Sequence, residues 1–462
     1  MAAGDSNLYF SRDTKVYLVQ GTGVSQQIWE LPILAGYSFS QKTNSSTVEL
    51  KEMSDATGRS RRGKRVFNDS LSAADWSFDI YARPTLVSSY HRAPEEVLWA
   101  SLFSESNFNP VLGQTGVPGT ITPSYSGNVV TLTFGTAAPV VPYFKVGDSI
   151  IVSGITATTN APNGTFIVTS STVNSVTYTV TNTPTGSLAG TAIVKSSTFS
   201  STATELDFYT TSANKTNLAT FDLYFVLGAN KASSANYAAD DVTTIYKISK
   251  CVANEATINF EIDGITTVAW SGMGAQISEQ ATFDATANGG PIQIGLASTS
   301  NMIRNRLTSL NAVGVTPSAK TYSLTLTGGS ITISNNMTFL TPETLGVVNQ
   351  PLGHITGSRS VSGNFTCYLD ELTNGSIDLY QDMLQGTSTV TNKFQLQFFV
   401  GGKAASGISP TAPGIMFDMG QCHLEIPSTK IDDVIGLEVA FTALPSSISG
   451  TDELTKIRYV GS

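Results

Sequence analysis

Three histidines, three cysteines and one run of cations are the residues of this 462-residue chain whose types could do chemistry. His91, His354 and His423 lie far apart, none in an HExxH-type spacing, and no CxxC pair occurs among Cys251, Cys367 and Cys422. His423 directly follows Cys422, so on a strand the two point to opposite faces and cannot hold one ion together. The glycines of "AWSGMGAQ", residues 269–276, have neither the GxSxG nor the GxGxxG spacing and read as a turn. No Walker motif or calcium loop is present. The histidines are therefore read as structural, no metal or other cofactor is expected, and no catalytic residue is assigned.

The cations are a different case. Arg59, Arg61, Arg62, Lys64 and Arg65 fill five of the seven positions 59–65, in "RSRRGKRVFNDSLSAADWSF". Such a cluster suits phosphates, a protein surface, or simply a solvated loop. The chain as a whole carries a formal charge of −9. Strong binding to nucleic acid rests on neutralising phosphates, so the cluster is a local exception in a chain built otherwise.

The elements that would position these residues are strands. Charged residues make up 13% of the chain, against about 25% in ordinary globular proteins. Ser, Thr, Gly and Val take their place, and β-branched residues suit half-buried strands. No apolar run approaches the roughly 20 residues of a membrane helix, so no membrane association is expected. The start, "MAAGDSNLYFSRDTKVYLVQ", lacks a basic segment followed by an apolar core, and a secretory signal is not expected. Three cysteines in strand-like runs read as buried thiols of a protein made in cytoplasm.

The chain repeats itself. "NKFQLQFFVGGKAA" matches "LATFDLYFVLGANKA" at an offset of 173, with Phe394, Leu396 and Phe398 on Phe221, Leu223 and Phe225. "GQCHLEIPSTKIDDVIGLEVAFTA" matches "SKCVANEATINFEIDGITTVAWSG" at 171, with Cys422 on Cys251 and Phe441 on Trp270. Upstream, "GGSITISNN" falls on "AGYSFSQKT" at 293, and "GNFTCYLDE" on "WSFDIYARP" at 287. "IDLYQDML" falls on "EEVLWASL" at about 282, and both read as short amphipathic helices. Five matches in one order indicate a duplicated unit.

The offset drops from about 282 to 173 after the helix, so the first copy holds roughly 109 extra residues. They read as short strands broken by Gly, Asn and Pro, such as "GNVVTLTF" and "VTYTVTNT", and suggest a small barrel or sandwich inserted in a loop. The expected fold is mainly β: a first domain over 1–104 and 206–290, an inserted β domain over 105–205, and a second copy over 291–462. Trp76, Phe78 and Ile80 alternate with Ser77, Asp79 and Tyr81, and Ile258, Phe260 and Ile262 with Asn259, Glu261 and Asp263. One face packs and one meets water, as in antiparallel sandwiches or half-barrels.

With these motifs in place, the sequence resembles the phage major tail tube proteins, in the form where one polypeptide carries two tube domains. "RRGKRVFNDSLSAADWSF", "GGSITISNNMTFLTP" and "IPSTKIDDVIGLEVAFTALPS" carry the resemblance, which covers the chain apart from the insert. It implies a virion structural protein, assembled in the host cytoplasm, whose three copies close a pseudo-hexameric ring. Rings stack into a hollow tube that conducts double-stranded DNA without gripping it. Partners would be further copies of itself, a tape measure protein, a tail terminator and tail-tip or baseplate proteins. The basic segment would lie in a long loop touching the adjacent ring through Arg59, Arg61, Arg62, Lys64, Arg65, Phe67, Asn68 and Asp69. Carboxylates in "TDE" at 451–453 or "DD" at 432–433 would receive it. Asp79, Asp222, Glu261 and Asp263 in the first copy and Gln395, Gln397 and Glu438 in the second are expected to line the channel. Two other classes fit parts of the pattern: another virion tail or decoration protein, and a tandem-sandwich adhesin binding host-surface glycans.

Overall fold

A computed structural model describes residues 8–49, 64–135, 142–210, 217–232, 234–240, 243–295, 301–316, 319–342, 344, 349–385, 393–402, 413–431, 433–448 and 450–461. In the first copy the principal strands are β1 (Lys15–Gln20), β2 (Gln27–Leu31), β3 (Ser38–Glu49) and β4 (Lys64–Tyr81). Helix α1 (Glu96–Phe103) and a helical turn α2 (Pro110–Gln114) follow. The insert contributes β5 (Ile121–Ser126), β6 (Val129–Phe134), β7 (Ser149–Ser153), β8 (Gly164–Ser171), β9 (Ser175–Thr179) and β10 (Ile193–Ser196). After it come β11 (Glu205–Tyr209), β12 (Phe221–Leu227), β13 (Thr244–Glu261) and β14 (Thr267–Gly274). The second copy has β15 (Ser309–Thr316), β16 (Leu326–Ser334), β17 (Ser360–Tyr368), α3 (Ser376–Gln385) and β18 (Lys393–Gly401). It ends with β19 (Gly414–Leu424), β20 (Ser428–Ile431), β21 (Ile435–Ala443) and β22 (Lys456–Val460).

Hydrogen-bonded pairing displays the duplication. In the first copy β1 pairs with β12, β12 with β13, β13 with β14, β14 with β4 and β4 with β3. In the second, β15, β18, β19, β21, β17 and β16 pair in the same succession. Both copies carry a register break at one place, between Phe221 and Leu223 and between Phe394 and Leu396, opposite Cys251 and Cys422. A bulge adds a residue and re-aims the strand, so its repetition marks one fold used twice. The ladders shift two of the sequence alignments. Trp270 stands opposite Phe78 and Val439 opposite Phe365, so Val439, not Phe441, is the counterpart of Trp270. In the same way Phe39, opposite Trp76, corresponds to Ile331.

Each copy is two sheets with the aromatic residues between them. Strand β13 serves both sheets of the first copy, turning at Lys250, whose φ is +51°. Its counterpart in the second copy is broken into β19 and β20 at Pro427, which has no N–H for a ladder. Trp76 stacks on Phe78 and meets Phe221 at 5.9 Å, and Phe398 packs on Phe441 at 5.3 Å. The cores merge, because Phe260 of the first copy also lies on Phe398 of the second at 5.7 Å. Burying each such ring contributes about 1.5–3 kcal/mol.

Helix α1 departs from the amphipathic expectation: all eight residues are buried. It sits between β13 and the exit strand β11, and Trp99 meets both Trp270 and Phe417. Helix α3 keeps the expected stripe, with Leu379 and Met383 buried.

The insert is one antiparallel sheet in the order β10, β7, β8, β9, β6, β5, occupying Ile121–Ser196. These strands lie within the span 105–205 expected for the insert; β11, which begins at Glu205, joins the C-terminal strand β22 of the second copy. Arg458 on β22 holds β11 by two 2.6 Å bonds to Asp207 and one of 2.7 Å to Glu205.

Candidate self-assembly surface

Eight strands form one continuous antiparallel sheet in the order β3, β4, β14, β13, β16, β17, β21, β20. The two copies meet inside it. Glu255–Glu261 of β13 pair residue for residue with Ser334–Gly328 of β16. The seam is therefore strand addition: the end strand of one copy extends the sheet of the other.

One face of this sheet packs on the core. Rings from one strand lie over glycines on the next: Trp76 over Gly272, Phe260 over Gly329 and Phe441 over Gly363. A Cβ on Gly272 would stand 2.4 Å from the Trp76 ring and 2.1 Å from a backbone oxygen, so only glycine fits.

The other face is polar and laced across strands. Ser38 bonds Ser77 at 2.8 Å, and Thr257 bonds Thr332 across the seam at 3.0 Å. Ser330 donates to Asn364 and Asn364 to Glu438, both at 2.8 Å, while Lys430 reaches Glu438 at 2.9 Å. The Lys430 and Asn364 hydrogen bonds hold the Glu438 carboxyl below its ordinary range, whereas burial raises that of Asp79. Cross-strand pairs of hydroxyls and amides stabilise the ladder and leave few free charges on it.

The channel residues expected from the sequence are distributed over several places. Asp79, Glu261 and Glu438 are on this polar face. Asp263 is in the turn after β13, 3.6 Å from Arg306. Asp222 is on β12, in the other sheet of the first copy, where it accepts from the Lys250 N–H and pairs with Lys247 at 2.7 Å. Gln395 and Gln397 are on β18, in the corresponding sheet of the second copy. Alternation with buried aromatics marks a solvent face in either sheet, and these three were assigned by alternation alone. Thr257, Ser330, Thr332, Asn364 and Lys430 share the face and are not among the residues expected from the sequence.

The basic segment also takes a different form. Arg59, Arg61 and Arg62 lie outside the described residues. Lys64, Arg65, Phe67, Asn68 and Asp69 are exposed on β4, which pairs with β3 as far as Glu49–Lys64, so this part is a two-stranded arm and not a loop. The Lys64–Glu49 ion pair at 3.0 Å and bonds from Asn44 to Ser70 and Ser72 to Asn44 hold its strands together. Ser46 donates to Asp69, and Leu71 donates to the carbonyl of Asn349 in the second copy.

Two strand edges of the sheet have one neighbour each among the described residues: along Ser38–Gln41, β3 pairs only with β4, and β20 pairs only with β21. The insert's end strand β5 carries Pro123 in mid-strand, which discourages pairing; β3 has no proline.

No protein-family model matches the chain. A stretch of 225 residues is 35% identical to tail tube protein pb6 of Escherichia phage T5, covering 47% of this chain and 46% of that protein. The chain thus spans about half the length of the curated relative it matches. The chain is thus mainly β and, over that stretch, similar to a phage tail tube protein.

Proposed function

We propose that this chain is a major tail tube subunit, and that three copies close a ring by adding β20 of each to β3 of the next. The seam between β13 and β16 carries this reading. It is a contact between two copies of one fold, and β20 and β3 are the remaining counterparts of the strands that form it. A head-to-tail contact that repeats with rotation closes a ring, and a chain holding two copies reaches six units with three chains.

The seam also predicts the register. Thr257 opposite Thr332 maps onto Ser428 opposite Ser40, and Ile258 opposite Ile331 onto Thr429 opposite Phe39. Both mapped residues of the first pair are again hydroxyls. In the closed ring the polar face would line the channel, offering DNA hydroxyls, amides and the carboxylates of Asp79 and Glu261. Such a wall repels phosphates and leaves Lys430 neutralised by Glu438. The basic arm then serves protein contact, and stacked rings conduct the DNA.

Oxidising the double variant Ser40→Cys, Ser428→Cys tests this reading. Disulfide-linked species should accumulate up to three chains and stop. A ladder extending well past three chains, or no linked species at high protein concentration, would overturn it.

A further inference from the structure

Beside the β13–β16 seam the two copies make a second contact. The segment that enters β15 is bound to the turn between β13 and β14. The Thr266 N–H donates to the carbonyl of Ile303 at 2.9 Å, and the Asn305 N–H to that of Gly264 at 3.2 Å. The Thr266 hydroxyl donates to Asn305 at 2.6 Å, and Arg304 bridges to Ile265 as in an antiparallel ladder. Ile303 and Thr266 are both 0% exposed.

Each side of this contact has a counterpart in the other copy. Helical turns at Ser11–Asp13 and Asn305–Leu307 lead into β1 and β15. They close alike: the Thr14 N–H donates to the Ser11 carbonyl and the Thr308 N–H to that of Asn305. The strands then pair at matching places, Lys15 opposite Val226 and Ser309 opposite Phe399, so Tyr9 corresponds to Ile303. On the other side, Thr267 stands opposite Tyr81 and Gly436 opposite Tyr368. The carbonyl just before each is used alike: that of Thr266 accepts from Ala82, and that of Ile435 from Leu369. Ile435 thus corresponds to Thr266. Yet Tyr9 is 41% exposed and Ile435 is 42% exposed, and Leu8, Phe10 and Val434 beside them are exposed as well.

The residue types differ in the way that separate chains require. Within the chain the contact is polar, through Thr266 and Asn305, and the connecting residues already hold its two sides together. At the corresponding places Leu8, Tyr9 and Phe10 stand on one side and Val434 and Ile435 on the other. Burial of apolar surface is what draws unconnected partners together.

We infer that Leu8–Phe10 of one chain docks on Val434 and Ile435 of a second copy in the same ring, beside the β20–β3 pairing. The N-terminal segment is then an apolar clasp across the joint between chains. This rests on the ring reading above, and it adds a contact that strand addition does not include.

The test uses two chains, one carrying only Tyr9→Cys and the other only Ile435→Cys, mixed and oxidised beside the Ser40→Cys, Ser428→Cys chain. The native cysteines are buried and stay out of the reaction. The expected product is a 9–435 disulfide between two chains, identified by mass spectrometry and absent when either chain is oxidised alone. Ile435→Asp, at an exposed position, should keep the wild-type unfolding midpoint. Placed in the Ser40→Cys, Ser428→Cys chain, it should lower the yield of linked trimers about tenfold at limiting protein concentration. If 40–428 trimers form while 9–435 does not, or if Ile435→Asp leaves their yield unchanged, the clasp is wrong and the ring stands. If neither disulfide forms, both fall.

Discussion

Replacing Arg458 by Met should separate the exit strand of the insert from the second copy. The guanidinium makes two 2.6 Å bonds to Asp207, whose side chain is 2% exposed, and a second ion pair to Glu205. Methionine keeps the volume of the stem but leaves a buried carboxylate without its cation. Breaking a buried pair in this way costs about 3–5 kcal/mol. Tyr209 still donates to Asp207 at 2.9 Å, which places the expected loss near the lower figure, about 3 kcal/mol. Urea unfolding followed by tryptophan fluorescence measures it. All four tryptophans lie in the first copy, and Trp99 donates to Tyr459, the residue after Arg458, at 2.7 Å. The double variant Arg458→Met, Asp207→Asn removes the charge as well and should recover most of the loss. By contrast Lys430→Ala, which breaks an exposed pair with Glu438, should cost under about 1 kcal/mol. A loss below about 1 kcal/mol in Arg458→Met, or no recovery in the double variant, would refute the reasoning.

Burial pushes the Glu95 carboxyl up to about 7 from an ordinary 4.5, against the opposing bond from Tyr459 and the charge of Arg83. Its folded value lies above its unfolded one, so the stability tied to its protonated form is present below about pH 4.5 and is lost as pH rises through 7. Glu95→Gln should flatten that decline in chemical denaturation between pH 5 and 8; an unchanged slope would assign it elsewhere, such as to Glu96, which burial also raises. Cys367 and Cys422 are pushed up to about 12 by burial, and Cys251 is raised in the same way. A thiol reagent at pH 8 should therefore find three reactive thiols only after denaturation. Gly272→Ala, with no space beside Trp76, should destabilise by about 1–3 kcal/mol in the same urea assay.

The duplication was legible in the sequence because paired strands kept their aromatic residues at matching spacing. Phe221 and Phe394 even occupy the same bulge. The arm was not legible. Residues 64–69 are exposed on both faces of a two-stranded ribbon, so no alternation of polar and apolar residues marks the strand. Helix α1 looked amphipathic because its polar members, Glu96 and Ser101, find partners inside the protein: Arg92, and the carbonyl of Val97. What no sequence pattern showed is that β11 pairs with β22, some 250 residues away. The polar face was legible only in part. Asp79 and Asp222 alternate with buried neighbours alike, and only the pairing of β4 with β14, and of β12 with β1 and β13, places them in different sheets.

Cryo-electron microscopy of rings assembled from the intact chain tests the central claim most directly. The account predicts three-fold symmetry, with β3 of each chain hydrogen-bonded to β20 of its neighbour and Ser40 opposite Ser428. Closed rings in which the β3 edge faces solvent, or in which another number of chains closes the circle, would contradict it.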